Sequence, residues 1–188
     1  MATQSVERAL TVDEFLRIDF GSDMKAELDN GVIRMMAGGS RAHDRVQINL
    51  IVSLANRLRG SGCRPSGSDM GVRTHDGSLR YPDVSVTCGR NGPADDRTRT
   101  VSDPCVVIEV LSPTTSALDR GAKLDEYKAL TSVETIVLID PDAERLRVLQ
   151  RTGRDPDGWS DVNYTRPHEL SLASLGLAVP HDEIFTRD

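Results

Sequence analysis

The sequence is short of cysteine, and what little it has is scattered. Cys63, Cys88 and Cys105 are odd in number, lie far apart and form no CxxC pair. The expectation is free thiols in a reducing cytosol, with no zinc site and no disulfide framework. No stretch approaches the 18 or so apolar residues that a membrane helix needs. The opening MATQSVERAL has no basic region followed by an apolar run, so no secretion leader is read there and a cytoplasmic protein is expected. There is no GxGxxG after a strand and no GxxxxGK followed by Ser or Thr, which removes the main support for a nucleotide-cofactor fold. Internal repeats, a helix-turn-helix and a zinc module for reading bases are also missing. Nor is there an excess of positive charge: the net charge of -6 counts against unspecific binding to nucleic acid, which draws its affinity from neutralised phosphates.

What is present fits one folded unit. A chain of 188 residues is expected to form a single domain over 11–188, preceded by an N-terminal arm over 1–10. At this length a chain buries roughly 70% of the surface it exposes when unfolded, enough to dispense with staples. The charge is uneven. Residues 41–80 hold seven arginines (41, 45, 57, 59, 64, 73 and 80) against Asp44, Asp69 and Asp76. That segment reads either as an electropositive patch or as ordinary solvated surface.

Along the chain, Thr11-Val-Asp-Glu14 is a capping box that opens a short helix ending at Gly21. Asn30-Gly31 between two β-prone arms predicts a hairpin over Lys25 to Ala37. In 42–58, Val46, Leu50, Ile51, Leu54, Ala55 and Leu58 recur at helical spacing, which predicts a long amphipathic helix terminated by Gly60 and Gly62. Tyr81 to Thr87 alternates as a strand, with Tyr81, Asp83 and Ser85 on one face. Residues 88–103 read as a polar surface loop. Pro104 to Leu111 has the continuous apolar pattern of a strand covered on both faces, and Ser112-Pro113-Thr114-Thr115 breaks it. A second long helix is expected over Asp119 to Leu130. Strands follow at Glu134 to Asp140 and Arg145 to Gln150, and from Trp159 onward the tail is short strand and turn. This order indicates a layered α/β or α+β domain.

Glu109 interrupts Val106-Val-Ile-Glu-Val-Leu111. A carboxylate inside a buried strand costs several kcal/mol unless a cation, a donor or a proton meets it. A structural Arg or Lys pair would suffice. Asp83, a second acid on a strand that can lie beside the first, suggests instead a hard oxygen site for one octahedral Mg²⁺ with positions left for water and a phosphate oxygen. Asp119, Lys123 and Tyr127 recur on one face of the second helix. Lys123 joins the acids if that helix packs back over the sheet, and otherwise forms a solvent-facing ion pair with Asp119.

Tyr81-Pro-Asp-Val-Ser-Val86, Val107-Ile-Glu-Val-Leu-Ser-Pro113, Asp119 with Lys123 and Tyr127, and Leu138-Ile-Asp-Pro141 together resemble the Uma-two family of bacterial proteins, grouped with the PD-(D/E)XK nucleases. Glu27-Leu-Asp-Asn-Gly31, His43 at the start of the first long helix, Leu175-Gly-Leu177 and Ile184-Phe185 extend the likeness over about residues 11 to 185. The resemblance implies a restriction-endonuclease-like fold: a central mixed β-sheet flanked by helices, with an N-terminal hairpin. It implies that Asp83 and Glu109 are the two acids. Leu111 stands where the usual nuclease pattern has its lysine, and the family implies Lys123 as the replacement. The implied activity is metal-dependent phosphodiester hydrolysis in nucleic acid, DNA first. Asp83, Glu109 and the Val110 carbonyl would hold Mg²⁺ or Mn²⁺, and Lys123 would orient water or stabilise charge. Glu27 would add a carboxylate for a second ion or a water-mediated contact. His43 would donate to a phosphate or cap its helix. His75, His168 and His181 are expected on the surface. The alternative is a domain that retains the fold and binds nucleic acid or protein without catalysis, and a homodimer is compatible with either reading.

Overall fold

In the computed structural model, residues 8–21, 24–74, 77–89, 97–112, 117–153 and 158–187 are described, 117–120 by their backbone alone. The Thr11 hydroxyl accepts the Glu14 N–H while the Glu14 carboxylate receives the Thr11 N–H, so the expected capping box opens α1 (Val12–Phe15). The helix stops at Phe15, well short of Gly21. Asn30 and Gly31, at φ 46° and 81°, turn β1 (Ala26–Asp29) into β2 (Val32–Met35), as an Asn-Gly pair does in a tight hairpin.

Ser40 caps α2 (Arg41–Leu58), whose buried face is Val46, Leu50, Leu54 and Leu58. Ala55, expected on that face, is exposed, and Ser53 is buried there instead. The strands β3 (Cys63–Gly67), β4 (Gly71–Arg73), β5 (Leu79–Arg80), β6 (Val84–Cys88), β7 (Thr100–Val101) and β8 (Pro104–Val110) follow. Helix α3 (Ala117–Ala129) then leads to β9 (Thr135–Asp140), β10 (Arg145–Arg151), β11 (Trp159–Tyr164), β12 (Leu170–Leu172), β13 (Leu177–Val179) and α4 (His181–Phe185).

Three strands left unread in the sequence, β4, β5 and β7, are very short. β3 escaped because Cys63-Arg-Pro-Ser-Gly67 looks like a turn, yet it occupies a sheet edge, where a proline costs no ladder bond. Helix α4 lies in the tail, where the sequence predicts short strand and turn. The expected strand over Tyr81 to Thr87 begins only at Val84. Tyr81-Pro82-Asp83 is instead the crossing from β5 in one sheet to β6 in the other.

The larger sheet runs β11-β10-β9-β8-β6-β3, and the smaller β2-β1-β5-β4-β7. In the larger, β8 and β9 are parallel and the other pairs antiparallel; β4 and β7 are the parallel pair of the smaller. Both sheets are therefore mixed. Alternation along β8 divides the core. Val106, Ile108 and Val110 pack with α2, α4 and the β12–β13 hairpin, and Val107 packs with Leu124 and Tyr127 of α3 and with Leu130 just beyond it. Helices thus cover both faces of the large sheet, and the hydrophobic term holds them there at roughly 1.5–3 kcal/mol per buried aliphatic side chain. A third cluster of Val12, Phe15, Ala26, Leu28 and Leu79 joins α1 to the small sheet.

Several expectations need correcting. Cys63 and Cys88 stand directly opposite in the β3–β6 ladder and form a disulfide, leaving Cys105 free. Residues far apart in the chain became cross-strand neighbours, which spacing does not reveal. The arginines of 41–80 do not make one patch: Arg57 pairs with Glu183, Arg73 with Asp13, and Arg80 is buried. His168 is exposed and stacks on Tyr164, but the His181 ring is largely covered and tilts against Phe185. His75, residues 1–7 of the arm, residues 90–96 of the polar loop, Pro113-Thr114-Thr115 and the Asp119 side chain lie outside the described residues. Among the described residues no helix is long and apolar enough to cross a membrane.

Ile108→Ala removes a fully buried side chain from the larger cluster and should cost about 2–5 kcal/mol. Val52→Ala on the exposed face of α2 should stay within about 0.5 kcal/mol. Urea denaturation of the two variants checks the contrast.

Candidate active site

Strands from both sheets meet with the first turn of α2 and with α3 around a cleft of ≈ 810 Å³. Asp83 reaches it because the crossing between sheets ends there. Its Oδ2 accepts the Val110 N–H at 2.7 Å, continuing the β6–β8 ladder past Val84 and Ile108 with a side chain. His43 Nε2 lies 3.2 Å from the same oxygen, and Gln47 Nε2 donates to the Asp83 carbonyl at 2.9 Å. Two residues one turn apart therefore latch α2 onto the acid. The Ser40 hydroxyl takes the His43 N–H, so the side chain that caps α2 is Ser40, and His43 turns its ring to Asp83. The hydrogen bond between the ring and Asp83 raises the His43 pKa against the opposing effect of burial.

Glu109 points to the opposite face of β8, where its neighbours Val107 and Leu111 pack against α3. Tyr127 donates its hydroxyl to Glu109 Oε1 at 2.8 Å, and Lys123 Nζ stands 3.7 Å from that oxygen. The closer partner of Lys123 is Glu27 Oε1 at 2.9 Å, which also accepts the Tyr81 N–H at 2.9 Å. Burial pushes the Glu109 carboxyl up to about 7; Asp83 and Glu27 add to the shift, while Lys123 and the Tyr127 hydroxyl oppose it. Burial pulls the Lys123 ammonium down, but Glu109 and Glu27 outweigh it and its pKa is raised. One ammonium shared by two carboxylates leaves Glu109 short of positive charge.

Arg80 went unrecognised in the sequence. Its side chain is 3% exposed and grips Glu126 with Nε at 2.7 Å and Nη2 at 2.5 Å, with Asp29 at 2.7 Å and Glu27 at 3.6 Å. Burial opposes its charge, but Glu126, Asp29 and Glu27 together hold it far above the ordinary range. Nothing in local spacing marks this residue, since its partners come from β1 and α3. A lone arginine beside Tyr81-Pro82 offered no pattern.

The cleft thus gathers Glu27, His43, Asp83, Glu109, Val110 and Lys123. Chemically, it presents two carboxylates, Asp83 just before β6 and Glu109 on the adjacent β8, with an ammonium between Glu109 and a third acid, Glu27. A strand residue directs its N–H and C=O to the same neighbour, so the Val110 carbonyl lies on the Asp83 side of β8. Among the described residues no group of three or more His, Cys, Asp or Glu could hold a metal ion. The donors fit a Mg²⁺-type ion that takes one or two carboxylates and completes its shell with water and phosphate. The undercompensated charge on Glu109 is the feature that such an ion would relieve.

Comparison with known proteins agrees with this architecture. The Uma2 family, described as "Putative restriction endonuclease", matches residues 12–180. An uncharacterized protein of Synechocystis sp., slr1290, is 32% identical over 178 residues, covering 94% of this chain and 91% of its own. A second from the same organism, sll1609, is 27% identical over 154 residues, covering 81% of this chain and 87% of its own. A crystal structure from Anabaena variabilis, described as "a putative nuclease belonging to DUF820", superposes with a TM-score of 0.75 at 20% identity, covering 94% of this chain and 98% of that one. The mixed α/β arrangement is the restriction-endonuclease-like fold.

A carboxyl pKa raised on folding makes the ionised form costly. Stability from this group is full below its unfolded value of 4.5 and falls as pH climbs through about 7. In metal-free buffer, the native protein should lose up to roughly 3 kcal/mol relative to Glu109→Gln across that window. Parallel denaturant titrations from pH 4 to 8 check it, and parallel pH curves for the two proteins would contradict it.

Proposed function

The chain belongs to the Uma2 family of restriction-endonuclease-like proteins, and on that premise we propose that it hydrolyses phosphodiester bonds in nucleic acid, DNA first, with a divalent cation. One observation carries the reading: Glu109, half-buried and pushed up to about 7, faces the same cleft as Asp83, and the nearest ammonium is shared with Glu27. A site with negative charge left over suits a divalent ion better than it suits a finished structural ion pair.

Asp83, Glu109 and the Val110 carbonyl would hold the ion. A bound Mg²⁺ or Mn²⁺ supplies Lewis acidity, making water more acidic and offsetting charge that grows on the phosphate. Lys123 faces the cleft with its ammonium fixed by Glu27, so it can stabilise an anionic phosphate oxygen or orient the attacking water. Glu27 gives its oxygens to Lys123, Tyr81 and Arg80, which favours a positioning role over the binding of a second ion. His43, whose pKa the hydrogen bond to Asp83 raises, can donate to a phosphate in the cleft. A homodimer would present two such clefts to the two strands of a duplex.

A second reading has support of its own. Asp83, Glu109 and Glu27 each already have protein partners, as they would in a domain that retains the fold and binds nucleic acid or protein without cutting it.

Plasmid incubated with Mg²⁺ or Mn²⁺ separates the two. The nuclease reading expects nicking that EDTA abolishes, and losses on the order of 10²-fold or more for Lys123→Ala. Asp83→Ala should remain folded, lose cleavage and lose the rise in Tm that Mn²⁺ gives the native protein. A folded native protein that neither cuts nor gains Tm with either ion supports the binding-domain reading and rejects the nuclease.

A further inference from the structure

Three cysteines far apart in sequence meet at one end of the large sheet. Cys63 and Cys88 are opposite in the β3–β6 ladder and disulfide-bonded, with Cα atoms 4.0 Å apart. Cys105 lies on β8, on the other side of β6. The β6–β8 register passes from Val86↔Val106 to Thr87↔Pro104, so Cys105 is the extra residue of a bulge, a device that redirects a side chain. Its thiol donates to the Val86 carbonyl at 3.3 Å, and its Sγ lies 3.4 Å from Cys88 Sγ. Cys88 is exposed, while Cys63 and Cys105 are half-buried. Gly62 and Gly89, both at positive φ, adjoin Cys63 and Cys88, and a Cβ built on Gly89 would meet nothing within 4 Å. The strand ends therefore have room to adjust.

We propose that Cys63, Cys88 and Cys105 form a thiol–disulfide exchange site in which Cys88 is the shared sulfur and a small thiol or disulfide of the glutathione class is the external reactant. In the internal step, the Cys105 thiolate attacks Cys88 Sγ. The Cys88–Cys105 bond forms, the Cys63–Cys88 bond breaks, and Cys63 leaves with the electron pair and takes up a proton, with no net oxidation. In the external step, a small thiolate attacks the exposed Cys88, the Cys63–Cys88 bond breaks and Cys63 leaves as a thiolate that takes up a proton; the Cys63 or Cys105 thiolate then attacks Cys88 and releases the small thiol. Burial, with Glu134 and Asp103 nearby, holds the Cys105 thiol above its ordinary range, which slows its attack on the Cys63–Cys88 bond because the thiolate is the attacking species. The exchange moves a covalent clamp from the edge strand β3 onto the pair β6 and β8, whose opposite ends carry Asp83 and Glu109. None of this rests on the nuclease reading.

The test is non-reducing peptide mass mapping of the full chain in a glutathione redox buffer. Cys63→Ser should convert to a Cys88–Cys105 disulfide, releasing two glutathione thiols per oxidised glutathione consumed. Cys105→Ser should keep only Cys63–Cys88, and Cys88→Ser should form no internal bond. A Cys63→Ser chain with native circular dichroism that keeps Cys88 and Cys105 as free thiols or separate glutathione adducts overturns the proposal. Should that variant not fold, the native chain decides under an iodoacetamide pulse. Label on both Cys63 and Cys105 supports exchange, and label confined to Cys105 rejects it.

Discussion

The arrangement of this protein depends on one carboxylate that its central strand would not otherwise tolerate. Glu109 interrupts a run of side chains that the core clusters bury on both faces of β8. Leaving such a group without compensation costs several kcal/mol. The compensation comes from α3, and its delivery is coupled to packing. Leu124, Tyr127 and Leu130 seat the helix on the sheet, and in the same register Tyr127 brings its hydroxyl and Lys123 its ammonium to the acid. A rotation of α3 that broke the polar contacts would also expose the apolar ones.

Charge is distributed around the cleft in two unlike ways. Arg80 is enclosed by Glu126, Asp29 and Glu27, a network in which Nε and Nη2 donate to Glu126 and Asp29 while Nη1 faces Glu27 and which ties β1, β5 and α3 together. Toward Asp83 and Glu109 the compensation thins. Lys123 spends its short contact on Glu27, and the Val110 N–H and the His43 ring both meet the same oxygen of Asp83. Structural pairing thus gives way, over a few residues, to a region where charge is left for something else to satisfy.

Strands β6 and β8 carry this difference along their length. At one end stand the acids, held by a side chain that extends the ladder; at the other stand the sulfurs, brought together by a bulge. The ladder between them is continuous from Val84 to Val86, so both ends belong to one pair of strands. This placement follows from antiparallel pairing, since the start of β6 must lie beside the end of β8.

Periodicity and turn chemistry determined much by themselves. The Thr11 capping box, the Asn30-Gly31 hairpin, the α2 stripe and the apolar β8 with its misplaced acid are local patterns, and local patterns reflect backbone geometry that holds in any context. Spaced motifs around Asp83, Glu109 and Lys123 further pointed to the family and the fold. Tertiary structure alone decided the rest. It brought Arg80 to three acids from other elements, fixed the ring of His43 on Asp83, started β6 at Val84 and closed Cys63 onto Cys88. Each of these joins residues distant in the chain, and such pairings are set by how sheets and helices pack, which no window of sequence contains.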